Sequence, residues 1–198
     1  MPRVADETIR AELLEAIVER VFAGGLAELT LRPLGAAVGV SPRTLLYHFG
    51  SKEALIGAIL EAARARQRTL LAAWYERSAE HDARTMLLRS WQWLAAPRQE
   101  RVFRVLFEAY GLGLNDRKRY GAFLRATSLD WLGPFTKILE DHGFDHERAV
   151  ALATRGVAVV RGLLLDVLAT GDRSRAERAF RSFINAIELP AGNGPLSV

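Results

Sequence analysis

The residues best suited to chemistry on a partner lie between Thr30 and Lys52. Ser41, Pro42, Arg43, Thr44, Tyr47 and His48 fall in one short segment, with Thr30 ahead of it and Lys52 behind. A guanidinium such as that of Arg43 can reach a phosphate or take the O6/N7 edge of a guanine. Thr44 offers a methyl to thymine or a hydroxyl to a base edge, and Tyr47 and His48 can donate to phosphates. Ser41 followed by Pro42 reads as a helix cap with proline in the first helical position. The free N–H groups and positive dipole end of such a helix attract phosphate. Lys52 opens the next helix, where its ammonium can join local amides on a nucleic-acid backbone. Packing is the alternative role for Tyr47, local hydrogen bonding for His48, and Phe49 belongs to the core.

Other chemistries find little support. The chain has no cysteine, which excludes disulfides, thiol catalysis and cysteine-held metals. It has no G-x-S-x-G, no phosphate loop and no H-E-x-x-H, so no catalytic residue is expected. His142 and His146 stand near Asp141 and Asp145, but Gly143 and a cap at Asp145 put them across a loop. Neither a metal site nor a cofactor is expected there.

These residues need elements to position them, and almost every segment has helical periodicity. Asp6 is expected to cap a first helix, with Ile9, Leu13, Ala16, Ile17 and Val21 at helical spacing and a stop at Gly24–Gly25. Thr30 opens a short helix, Leu31–Val38, with Pro33 in its first turn. Gly39 and Val40 turn into the Ser41-capped helix, Gly50 ends it, and Ser51 caps a long helix from Lys52 to about Glu80. Leu34, Ala37, Val40 and Leu45 have the spacing of a small core, and Gly35 and Ala36 permit close approach. Two short helices joined by a tight turn form the helix-turn-helix layout, whose second helix lies in a major groove. Further helices are expected over Arg84–Ala95, Pro97–Tyr110, Arg117–Asp141, His146–Ala169 and Arg175–Ile187, the last with Ser174 and Glu177 as a capping box. The expected fold is all-α, with about nine helices.

The string TLRPLGAAVGVSPRTLLYHFGSKEAL resembles the DNA-binding domain of the TetR/AcrR family of transcriptional regulators. Thr30, Leu34, Gly35, Gly39, Val40, Ser41, Leu45, Tyr47, His48, Phe49, Ser51, Lys52, Glu53 and Leu55 stand in register with the family pattern, and the likeness covers about residues 6–60. Leu46 stands where many relatives have a second tyrosine, Pro33 where a polar residue is usual, and Gly35 where alanine is usual. The resemblance implies a homodimeric repressor on a palindromic operator, released by a small apolar or amphipathic ligand. The short helices give way to long ones near Gly50–Lys52, so the expected division is a DNA-binding domain over residues 1–50 and a ligand-binding and dimerisation domain over 51–189, with the Gly/Pro-rich residues 190–198 as a flexible tail.

In the second half, Trp91, Phe103, Phe107, Tyr110, Phe123 and Trp131 are candidates to line a ligand cavity, or else ordinary core. Thr154, Val157, Ala158, Arg161, Gly162 and Leu165 form one stripe, and Phe180, Phe183, Ile184 and Ile187 another. Two such helices from each subunit would make a four-helix dimer seam, and burial within one chain is the alternative. Arg161 and Asp166 are expected at that seam, and orienting a polar group of a ligand or pairing with each other are their alternatives.

Composition agrees with this reading. In 198 residues, 49% apolar and 25% charged, there is enough core for one or two small domains. Residues 4–28 carry two basic and six acidic side chains, whereas residues 31–68 carry six basic and two acidic. A polyanion should therefore meet the second segment. The most apolar run, Ala149–Leu168, is interrupted by Arg155, Arg161 and Asp166, so no membrane span is expected. The acidic first residues do not suit a signal peptide, and the cytoplasm is the expected location. The competing function class is a helical adaptor or ligand-binding protein, or an enzyme, without specific DNA binding.

Overall fold

The computed structural model describes residues 2–26, 30–78 and 82–187. The tail expected over 190–198 lies outside them. Among the described residues there are nine α-helices, one 3₁₀ turn and no strand. They are α1 (Pro2–Gly24), α2 (Leu31–Ala37), α3 (Pro42–Phe49), α4 (Lys52–Ser78) and α5 (Ala83–Leu94). The 3₁₀ turn Pro97–Gln99 leads into α6 (Glu100–Asn115), followed by α7 (Arg117–Asp141), α8 (His146–Thr170) and α9 (Arg173–Asn185). No described helix is long and apolar enough to cross a membrane.

Local chemistry sets most boundaries. The amide of Gly25 donates to the Val21 carbonyl at 2.7 Å, and its φ of 88° is one that side chains resist, so α1 stops there. Asp145 caps α8 by accepting from the Arg148 amide at 2.9 Å. Two expected caps are corrected. Asp6 lies inside α1, which begins at Pro2. For α9 the cap is Asp172, which takes the Arg175 amide at 2.9 Å, and the Ser174–Glu177 box does not form. Glu177 instead accepts the indole N–H of Trp91 at 2.9 Å. The sixth helix also runs beyond Tyr110, to Asn115.

The Asp82 carboxylate caps α5 by accepting from the Thr85 amide at 3.0 Å. Hydrogen bonds from Thr85, side chain first and amide second, hold this carboxyl below its ordinary range. Its stabilisation is therefore present above the usual carboxylate pKa and lost as pH falls through the lowered one. Asp82→Ala should cost about 1 kcal/mol at neutral pH and less in acid, which thermal melts across pH would measure.

The helices gather into two compact units. The first spans residues 1–69 and 104–124, the second 70–103 and 125–198. In the first, Ile17, Val18 and Val21 of α1 pack with Leu34 of α2 and with Leu45 and Phe49 of α3. The same cluster holds Leu55, Ile59 and Leu60 of α4, with Val105, Ala109 and Tyr120. That is why this unit reaches past residue 50. The side chain of Glu108 accepts the Leu26 amide, tying the chain just after α1 to α6.

In the second unit, α8 buries Ala149, Leu152, Ala153, Val157, Val160, Leu164 and Val167, and α9 buries Ala176, Phe180 and Ile184. Phe180 stacks on Trp91 of α5 with ring centroids 5.0 Å apart. Asp166 pairs within the chain with Arg175 at 2.6 Å, and that bond raises the Arg175 pKa.

Candidate nucleic-acid interface

The recognition segment is built from its cap upward. Ser41 adopts an extended backbone and its hydroxyl oxygen accepts the Thr44 amide at 3.1 Å, so α3 starts at Pro42. The Thr44 hydroxyl lies 2.8 Å from the same oxygen, which fixes its rotamer. Leu45 is fully buried and Phe49 nearly so, turning the opposite face of α3 outward. That face presents Pro42, Arg43, Leu46 and Tyr47, with Tyr47 74% exposed. Ser51 caps α4 through the Ala54 amide at 3.0 Å, and Lys52 stands exposed on its first turn. Thr30 is exposed at the start of α2, with no hydrogen bond from its side chain to the helix.

His48 faces the other way. Its side chain is 7% exposed, and Nδ1 lies 3.1 Å from an Asp6 carboxylate oxygen of α1. Its carbonyl accepts Arg10 Nε at 3.1 Å, and the Arg10 guanidinium lies 5.1 Å from the Phe49 ring centroid. His48 thus lies on the face of α3 that meets α1. It braces α3 against α1, while its ring meets Tyr47 edge-on at 5.0 Å.

The turn between α2 and α3 depends on Gly35. A Cβ there would sit 2.5 Å from the Val40 carbonyl oxygen, a backbone atom that cannot swing aside. The Val40 amide donates to the Gly35 carbonyl at 2.8 Å, which keeps the two segments that close. Of the other residues expected in this small core, Leu34 and Leu45 are buried and Val40 is half-buried. Ala36 and Ala37 are exposed, so they neither permit the approach nor fill the core. Gly35→Ala should destabilise the first unit by about 1 kcal/mol, the overpacking cost less the helix propensity that alanine gains. A lowered melting midpoint would show it.

Leu46 stands where many relatives have a second tyrosine. It is 37% exposed on the outward face of α3, where its branched methyls could lie against a thymine methyl. An apolar residue beside buried Leu45 reads as core until the helix phase is known.

The six aromatic candidates for a ligand cavity are divided. Phe107, Tyr110 and Phe123 belong to the first unit and are half-buried; Trp91, Phe103 and Trp131 belong to the second and are buried. Trp91 is held by Glu177 and Phe180, which is core packing. The second unit contains an apolar groove that none of the six lines, formed in part by Phe135, Leu139, Leu152, Phe180 and Phe183. Its one hydroxyl, that of Ser90, donates to the Leu87 carbonyl at 2.6 Å.

The ten dimer candidates are divided too. Thr154, Ala158, Gly162 and Leu165 are exposed along one face of α8, with Arg161 half-buried beside them. Val157, Phe180, Ile184 and Ile187 are buried within the second unit, and Phe183 is half-buried. The α9 stripe thus has the alternative role, intrachain burial against α5 and α8. His142 Nδ1 lies 2.7 Å from the Ile138 carbonyl and His146 Nδ1 2.6 Å from Glu140, so the two rings have separate partners.

The comparisons with known proteins agree with this geometry. Residues 13–59 match the sequence profile of the bacterial regulatory proteins of the tetR family. No curated protein matches the chain. Among solved structures, the fold is shared with a TetR-family transcriptional regulator from Cytophaga hutchinsonii, at 19% identity and TM-score 0.76, covering 94% of this chain and 98% of that one. A transcriptional regulator from Rhodococcus sp. Rha1 is similar at 19% identity and TM-score 0.72, covering 89% and 94%. The multidrug binding protein EbrR, solved with imidazole, is similar at 27% identity and TM-score 0.65, covering 96% of each chain. With a capped helix inside the matched segment and a shared fold along the rest, the chain carries over residues 13–59 the DNA-binding domain of the tetR family of bacterial regulatory proteins.

Proposed function

We propose that this regulator is a homodimeric repressor that binds a palindromic operator and leaves it when a small apolar or amphipathic effector binds. The observation that carries the reading is the outward face of α3. Arg43 and Tyr47 stand exposed on a helix whose cap and inner face are fixed, with Lys52 at the next helix start. Fixed elements of this kind are what base readout and phosphate positioning need. Each subunit would place α3 in one major groove, with recognition helices about 34–36 Å apart for half-sites one turn apart.

The division of labour would fall at residue 50. Residues 1–50 read DNA, and residues 51–189 bind effector and hold the dimer, with α4 as the lever between operator-competent and released states. EbrR, which is similar in fold, is a multidrug binding protein, and the groove of this chain is apolar, which favours an apolar effector. Such a protein would act in the cytoplasm, and none of its steps is enzymatic.

Selection of fragmented genomic DNA by the purified protein at fixed salt, followed by footprinting, tests the reading. An enriched palindrome with two protected half-sites is expected. Weak, salt-sensitive retention without any enriched sequence would overturn it.

A further inference from the structure

Two buried polar groups of α7 have no hydrogen-bond partner among the described residues. They are the Thr127 hydroxyl and the indole N–H of Trp131, in side chains 1% and 2% exposed. A buried polar atom left unpaired is costly and calls for an explanation. The two lie four residues apart, on one face of the helix. Phe135, a turn further along that face, stacks parallel to Trp131 with centroids 6.4 Å apart, and Phe103 meets Trp131 at 5.9 Å. Phe135 and Leu139 then line the apolar groove of the second unit. One face of α7 therefore carries an apolar wall at one end and two unmet polar groups at the other.

We propose that this face is the polar end of the effector site and that it selects a neutral molecule with an apolar body and a carbonyl group. The proposal rests on the effector-controlled reading above. An indole N–H only donates, and a threonine hydroxyl can donate. A carbonyl oxygen has two lone pairs and satisfies both. Neutrality follows from the donors: neither is charged, so neither offsets the desolvation of a carboxylate.

The test uses two pairs of near-isosteres on the full-length protein. Acetophenone is compared with α-methylstyrene, and benzophenone with 1,1-diphenylethylene, by calorimetry and thermal shift. In each pair only the carbonyl oxygen is exchanged for a methylene. Wild-type protein should bind at least one ketone about tenfold more tightly than its hydrocarbon, the discrimination expected when a buried donor loses its acceptor. In Thr127→Val/Trp131→Phe that preference should vanish while hydrocarbon binding persists. Thr127→Val alone should raise the melting midpoint of the unliganded protein, because it removes an unpaired hydroxyl at constant shape. Equal affinities within both pairs, no binding of either ketone up to its solubility limit, or a preference that survives the double substitution would each overturn the proposal. DNA release separates it from the reading it rests on. Ketones that bind with the stated preference but do not displace selected DNA would leave the site standing and sink effector control. Displacement by hydrocarbon and ketone alike would do the reverse.

Discussion

Leu165→Glu and Ala158→Glu should each turn a dimer into a monomer without unfolding the chain. Both side chains lie on the outer face of α8, where Leu165 is 51% exposed. Gly162 between them has open space around it, and the Thr154 hydroxyl donates back to the Val150 carbonyl at 2.7 Å. The strip is therefore small and apolar, with its one hydroxyl already satisfied. In a two-fold seam each substitution occurs twice, so two carboxylates face one another in a dry contact. Substitutions at exposed positions cost the fold little, within about 0.5 kcal/mol. Sedimentation should show monomer at micromolar concentration with an unchanged melting midpoint. Affinity for a two-half-site operator should fall about 100- to 10,000-fold, because the second half-site loses its effective concentration. A variant that still sediments as a dimer would place the seam elsewhere.

Which parts of this molecule were legible in its sequence follows from how far each interaction reaches. Ser41, Ser51 and Asp145 act on amides three residues away, so their caps can be read from type and spacing. Ser174 fails the same rule because Asp172 reaches the Arg175 amide first, and Glu177 is drawn to Trp91, 86 residues away in the chain. Asp6 fails because α1 starts earlier and the fold brings His48 to it. Periodicity located the α9 stripe of Phe180, Ile184 and Ile187, but it cannot say what covers a stripe, and here the cover lies within the second unit. The α8 helix shows the complementary case. Its buried stripe and its exposed strip both contain small and aliphatic residues, so composition alone blends them, and Val157 falls on the inner side. In the recognition segment the family pattern placed every residue, but only the three-dimensional core turned His48 inward and Leu46 outward.

Arg43 and Lys52 should fail differently when each is replaced by alanine. Arg43 is exposed on the first turn of a helix whose start is fixed by Ser41 and whose buried face is fixed by Leu45 and Phe49. A side chain on so firmly held an element can make a bidentate contact to one guanine, which is worth about 1–3 kcal/mol against the wrong base. Arg43→Ala should therefore relax the selected consensus at one base pair in each half-site and leave the other positions sharp. Lys52 stands on a capped helix start, where charge and amides would serve a phosphate that is the same in every sequence. Lys52→Ala should weaken specific and nonspecific binding alike and lower the salt slope by about one unit per subunit, and Tyr47→Ala should weaken both while leaving the slope unchanged, because its hydroxyl carries no charge. Parallel site selection and salt titration distinguish the roles. An unchanged consensus for Arg43→Ala would reassign that guanidinium to the backbone. Loss confined to one base pair for Lys52→Ala would move the ammonium into the groove. The contrast rests on position: Arg43 projects from α3, the segment proposed to enter the groove, and Lys52 from the helix that follows it.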